Sequence, residues 1–329
     1  MNHAHLVVEV LRGGEVESFH QVSAVVTGTD GQVVETFGDG EQKVFPRSAI
    51  KALQAIPFVD SQAVTKFSLD DRMVALSAAS HRAQEVHLEL VAEWLRKIDR
   101  TDEVFECGPA WPSDEARREQ WIRQGLKPNC SCHNCSGKHL GLISTCLAAG
   151  DSIEGYRLWS HPAQARVRRA LSDVMGVDHE TLKFGTDGCG IPTYATPLKN
   201  LACGLSALLR AEGSSSLGKI RKAHQSHPVL IAGTQDCVTA TIQTTKGQCL
   251  LKSGAEGVYG GWAVEKGLSF ALKVHDGNLR AASVAALELL KKVGGMSDAE
   301  VESLGGVRTP GLTNSRGEVV GEIRLRKGS

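Results

Sequence analysis

Ser48 and Lys51 stand three residues apart in Val44-Phe45-Pro46-Arg47-Ser48-Ala49-Ile50-Lys51-Ala52-Leu53. A serine hydroxyl becomes an effective nucleophile when a base takes its proton. A lysine is such a base once burial lowers its pKa towards neutrality. Pro46 disfavours the helical region for Phe45. No breaker follows until Pro57, and positions 49, 50, 52, 53, 55 and 56 are apolar. The pattern predicts a buried helix starting near Arg47, with Ser48 and Lys51 on one face of its first turn. Backbone N–H groups at a helix start favour a developing oxyanion. The same four residues also fit an N-cap serine followed by a solvated lysine.

Further groups fit this chemistry. Lys252-Ser253-Gly254 ends a predicted strand, where a lysine can place a second cationic head near a substrate carboxylate or a second serine. Ser80, before His81, is a candidate second serine for proton relay, or a helix-end serine without a role. Gly185-Thr186-Asp187-Gly188-Cys189-Gly190-Ile191-Pro192 is a sharp glycine-rich elbow. Its Asp187 can reach a ligand ammonium or close an Asx-turn, and Glu256 in Gly254-Ala255-Glu256-Gly257 has the same two readings. Cys130, Cys132 and Cys135 lie within six residues, followed by Lys138 and His139. Thiolates suit zinc, so a site of Cys135, Cys189 and another group competes with a reduced, partly buried thiol cluster.

The elements that must position these groups follow from periodicity. Residues 4–12, 17–28 and 32–38 read as three antiparallel strands joined by hairpins. Helices are expected at 69–81, 83–98, 136–149, 161–175, 198–211 and 279–293, with another opening at Ser113-Asp114-Glu115. Residues 213–218 read as a flexible loop. Strands are expected again at 238–245, 248–252, 257–264, 268–275 and 318–325, the first two as a hairpin around Lys246-Gly247. This order predicts an α/β (α+β) fold, with one antiparallel sheet flanked by helices. Residues 1–60 and 190–329 would form the sheet domain, and 61–189 a helical subdomain carrying the zinc site. Serine β-lactamases, penicillin-binding proteins and serine-type glutaminases share this layout, with S-x-x-K early and K-[ST]-G late.

Lysine plus arginine and aspartate plus glutamate both number 37, so the formal net charge is zero. No global field attracts nucleic acid or an anionic membrane. No apolar run approaches the roughly 20 residues of a membrane span, and the start lacks an export-signal pattern. Nine cysteines in such a chain favour reduced thiols or a metal site over a disulfide framework. The expectation is a cytoplasmic protein without nucleic-acid or membrane partners.

Four segments together resemble a known family: Arg47-Ser48-Ala49-Ile50-Lys51, Cys135-Ser136-Gly137-Lys138-His139, the 185–192 elbow, and Lys252-Ser253-Gly254-Ala255-Glu256-Gly257. They are similar to the Rhizobium etli-type (class 3) L-asparaginases, over residues 5 to 325, and Thr313-Asn314-Ser315-Arg316-Gly317-Glu318 also fits. The resemblance implies hydrolysis of L-asparagine to L-aspartate and ammonia by a homodimer. It implies Ser48 as nucleophile, Lys51 as base, and Ser80 paired with a distant lysine. It implies zinc on Cys135, Lys138 and Cys189, placing substrate rather than doing chemistry. Arg47, His139, Asp187, Gly188 and Glu256 are expected to line the substrate. Lys252 is preferred as the partner of Ser80 because of its strand position, with Lys273 as rival. The cation of Lys252 is expected to keep Lys51 neutral. A glutaminase, a penicillin-type hydrolase, and a zinc or thiol sensor built on Cys130, Cys132 and Cys135 are the other readings.

Overall fold

A computed structural model describes residues 3–308 and 311–328. The alternating runs at both ends of the chain come together in one sheet. Its strands are β1 (Leu6–Arg12), β2 (Glu15–Gly28), β3 (Val33–Phe37), β4 (Cys249–Gly254), β5 (Val258–Ala263), β6 (Leu268–Val274), β7 (Leu312–Thr313) and β8 (Val319–Leu325). Every ladder is antiparallel, in the order β7-β8-β1-β2-β6-β5-β4, with β3 pairing to β2 off that path. The expected mixed fold with an antiparallel sheet is therefore what forms.

Helices cover both faces. Successive strand side chains point to opposite sides. On β5, Trp262 Nε1 donates to Leu205 O of the Leu198–Arg210 helix at 2.7 Å. Tyr259, of opposite parity, meets Ser283 of the Leu279–Lys292 helix at 3.3 Å. The core runs between these layers, with Val8, Ala24, Leu250, Phe270, Leu205 and Leu287 fully buried.

Residues between β3 and β4 are mostly helical. The run after Pro46 begins as a 3-10 turn, Arg47–Ile50, and continues as Lys51–Gln54 and Ile56–Asp60. Pro57 lies in the first turn of that last piece, where its missing N–H is harmless. Ser136–Ala149 ends at Gly150 in the left-handed conformation, and Pro162–Met175 opens behind His161, as expected. Gly137 brings the Ser136–Ala149 helix onto the Asp71–Ser77 helix, because a Cβ there would lie 2.2 Å from Leu76 O.

Three expectations are corrected. Residues 238–245 are no strand: Cys237–Thr244 is a helix, capped by Asp236, which accepts from Val238 N–H at 2.9 Å. Its β-branched residues suggest a strand, but the Thr239 hydroxyl bonds to Pro228 O and Gly233 O, and its buried face carries Val238, Thr241 and Ile242. Residues 216–218 are not loop, since Ser215 caps a helix over Ser216–Ser226. The helix predicted over 69–81 covers only Asp71–Ser77. Beyond it, Ser80 N–H donates to Ile231 O and His81 N–H to Asn134 O, which hold this stretch out of the helix. Among the described residues no helix is long and apolar enough to cross a membrane.

Candidate active site

The centre of the site is a hydroxyl between two buried amines. Lys51 Nζ donates to Ala79 O at 2.6 Å and to Ser80 Oγ at 3.1 Å. Lys252 Nζ donates to Ser80 Oγ at 2.8 Å and to Ser253 O at 2.9 Å. Both lysines are 0% exposed. Burial lowers both pKa values. The Cys135 thiol opposes this at Lys51, while the charge of Lys51 adds to it at Lys252, which falls well below the ordinary lysine value. The expectation that the Lys252 cation keeps Lys51 neutral is corrected: burial is the main cause at Lys51, and the repulsion acts on Lys252, the more depressed of the two. A neutral amine on one side can take the Ser80 proton while a protonated one on the other replaces it, so Ser80 can pass protons between the two.

Ser48 and Ser80 line one cavity of about 570 Å³, together with Asn134, Asp236, Gly254 and Tyr259. Strand β4 lies at the sheet edge and runs against the Ser48 turn. Gly254 permits this approach: a Cβ would sit 2.7 Å from Pro46 O and 3.1 Å from Ala49 N. Arg47, just before Ser48, has φ +51°, a left-handed conformation that is costly without glycine. Its guanidinium is anchored by Asp187 at 2.6 Å.

The remaining expected residues do not line this cavity. Asp187 is taken by Arg47 and by Gly188 N–H, at 2.8 Å. Arg47 and Glu256 line a neighbouring cavity of about 380 Å³, with Lys273. Lys273 donates to the Glu256 carbonyl, not to Ser80. His139 is fully buried, and its Nδ1 lies 2.7 Å from the Tyr156 hydroxyl. Tyr156 also accepts from Glu106 N–H at 2.9 Å. Burial holds His139 well below the usual imidazole value.

Cys135, Lys138 and Cys189 converge as one buried group. Lys138 Nζ lies 3.1 Å from Cys189 Sγ, and the buried Cys135 Sγ donates to Asn134 Oδ1 at 3.2 Å. Among the described residues no three or more His, Cys, Asp or Glu side chains form a metal-binding group, so a metal here needs the lysine nitrogen. Two sulfurs and an amine fit a borderline-soft ion such as zinc. Without metal, the nearby thiols raise the Lys138 pKa against the effect of burial.

A family model described as L-asparaginase II matches residues 8–325. The chain belongs to this family. It is accordingly an amidohydrolase, and its substrate is a small amide. No curated protein matches it. Among solved structures, it is similar to a β-lactamase from Mycobacterium bovis, with a TM-score of 0.46 and 14% identity over 83% of this chain and 94% of that one. It is also similar to a putative β-lactamase from Bacteroides dorei, with a TM-score of 0.44 and 11% identity over 89% and 94% of the two chains.

Asn134, Asp236, Tyr259 and Ser283 line the cavity of this L-asparaginase II family member without having been singled out from sequence. For Asp236 a signal existed: an acidic residue before a run without Gly or Pro is an N-cap pattern. Reading that run as a strand hid it.

Two buried imidazoles support the Ser80 stretch. His81 Nδ1 accepts from Ala83 N–H and His87 Nδ1 from Gln84 N–H, both at 3.1 Å. A protonated ring cannot accept there, so both are neutral. Burial lowers both pKa values, and lowers His224 to about 4. In the unfolded chain these rings protonate near pH 6.5. Stability is therefore full above that value and is lost as pH falls towards the folded values, by about 1.4 kcal/mol per pH unit for each ring. The urea midpoint should hold from pH 7.5 to about 6.5 and then drop steadily to pH 5. A level midpoint would show that the rings are not buried neutral.

Proposed function

We propose that this amidohydrolase is an L-asparaginase that works through an acyl-enzyme on Ser48. The observation that carries the reading is the Lys51–Ser80–Lys252 bridge behind the cavity lined by Ser48 and Ser80. Lys51, passing its own proton through Ser80 to the neutral Lys252, takes the Ser48 proton as Ser48 Oγ bonds to the side-chain amide carbon. The Ser48 N–H and a backbone N–H after Lys252 hold the oxyanion, since β4 is an edge strand with one side unpaired. Collapse breaks the C–N bond, and the departing nitrogen takes the proton and leaves as ammonia. Water then adds to the β-aspartyl ester, giving its proton to the amine. Aspartate leaves as Ser48 is reprotonated. Ser80 carries protons between the two amines. Glutamine is the second reading, because one methylene changes binding by only about 1–3 kcal/mol.

Zinc fits Cys135, Lys138 and Cys189, where it would supply a fixed positive charge for placing substrate. The Lys138 proton, held by the neighbouring thiols, must leave first, so zinc uptake should rise with pH. Elemental analysis of protein prepared without chelator should find about one zinc per chain. No zinc, and none taken up at alkaline pH, would refute this site.

Ser48→Ala should lower turnover to below a few per cent while the fold persists. Rapid quench with L-asparagine followed by intact-protein mass spectrometry should show an aspartyl adduct on wild type and none on the variant. A well-folded Ser48→Ala protein with substantial activity would remove the covalent route.

Activity also needs at least one neutral amine of the pair. Like-charge repulsion expels one of the two protons and sets the acidic limb of the kcat/KM profile. Lys252→Met removes the more depressed amine and leaves only Lys51, which gives up its proton at higher pH. The acidic limb should move to higher pH, with a fall of about 100-fold or more at pH 7. Lys273→Met should do far less. The reverse ranking would transfer the role to Lys273.

A further inference from the structure

The cavity that holds Ser48 contains a carboxylate that the proposed reaction does not use. Asp236 lines it with Ser48, Ser80, Asn134, Ser253 and Tyr259. Among the described lining residues it is the sole carboxylate, and none is a lysine, arginine or histidine. Lys51 and Lys252 do not line the cavity; both donate to Ser80. One oxygen of Asp236 accepts from Val238 N–H at 2.9 Å, closing the start of the Cys237–Thr244 helix. A carboxylate has about four acceptor positions, so that bond leaves most of its capacity free. Burial raises its pKa, and the Val238 N–H and the charges of Lys252 and Arg82 offset this only in part, which is the mark of a charge short of solvation.

The two acidic residues expected to read an ammonium are placed otherwise. Asp187 is held by Arg47 and Gly188 N–H. Glu256 lines the neighbouring cavity. An amino acid amide bound at Ser48 therefore meets one carboxylate in this chamber.

We propose that Asp236 binds the α-ammonium group of the substrate, so that the cavity selects zwitterionic α-amino acid amides over plain carboxamides. The inference rests on the amide-hydrolase reading of Ser48 and deepens it. An ammonium beside Asp236 replaces the solvation that the cavity removes, with a charge-assisted hydrogen bond. An amide without the ammonium leaves that carboxylate desolvated and unpaired, which costs affinity. Discrimination then arises from the penalty on the wrong substrate as well as from attraction of the right one. Asp236 is a specificity residue under this assignment and has no part in proton transfer.

The test compares L-asparagine with succinamate, the same amide without its α-amino group. Succinamate is followed as a substrate or, if turnover is slow, as a competitive inhibitor. Asp236→Asn removes the charge and keeps a good N-cap, and Asp236→Ser gives a second capping variant. KM for L-asparagine should rise on the order of 30-fold or more in both, the scale for breaking a buried charge pair. Succinamate should bind as well as before or better, because an anion no longer meets Asp236. Unchanged KM for L-asparagine in folded variants would overturn the assignment. So would an equal loss for both compounds, since that pattern belongs to a residue acting through the lysines or the fold. Wild-type protein inactive on L-asparagine would instead sink the asparaginase reading. Glutamine and glutaramate, which differ by the same group, would then decide the role of Asp236.

Discussion

Two amines share one hydroxyl in the interior of this protein, and neither reaches water. Two buried charges side by side are prohibitively costly, so the Lys51–Ser80–Lys252 bridge exists only if protons are distributed unevenly across it. That constraint pushes Lys252 well below the ordinary lysine pKa. It also ties together three distant parts of the chain. Lys51 comes from the helix after Pro46, Ser80 from the stretch beyond Ser77, and Lys252 from the edge strand.

Much of the surrounding structure fixes those three parts at short range. Gly254 lets the edge strand lie against the Ser48 turn, and Gly137 lets one helix meet the carbonyl of Leu76. The segment with Ser80 lies outside the helix, with its own backbone N–H bonded to Ile231 O. Neutral His81 supports it from beneath, with Nε2 2.8 Å from Ser136 Oγ. Arg47 stays left-handed beside the nucleophile, and its ion pair with Asp187 links that turn to the glycine elbow. The elbow also carries Cys189, so the thiol–lysine group and the serine site are joined through a few residues. This proximity offers a physical route by which a metal on the thiols would influence the site without touching the reacting bond.

The sequence by itself determined the local pieces. Alternation defined most strands of the sheet, because its central strands bury one or both faces. Pro162, Gly150 and the apolar spacing marked helices, because capping and periodicity are local. The three-residue step from Ser48 to Lys51 and the strand that carries Lys252 were legible in the same way. Tertiary structure decided what those pieces meet. Lys252 rather than Lys273 touches Ser80 because β4 is the edge strand beside the Ser48 turn, while Lys273 lies on β6 and reaches Glu256. Arg47 and Asp187 satisfy each other, a pairing across 140 residues that spacing cannot reveal. Asp236 was hidden because Val-Thr-Ala-Thr-Ile carries strand propensity. Only burial of Val238, Thr241 and Ile242 and the hydroxyl bonds of Thr239 make it a helix. Propensity is a local preference of a few tenths of a kcal/mol per residue, and long-range packing overrides it.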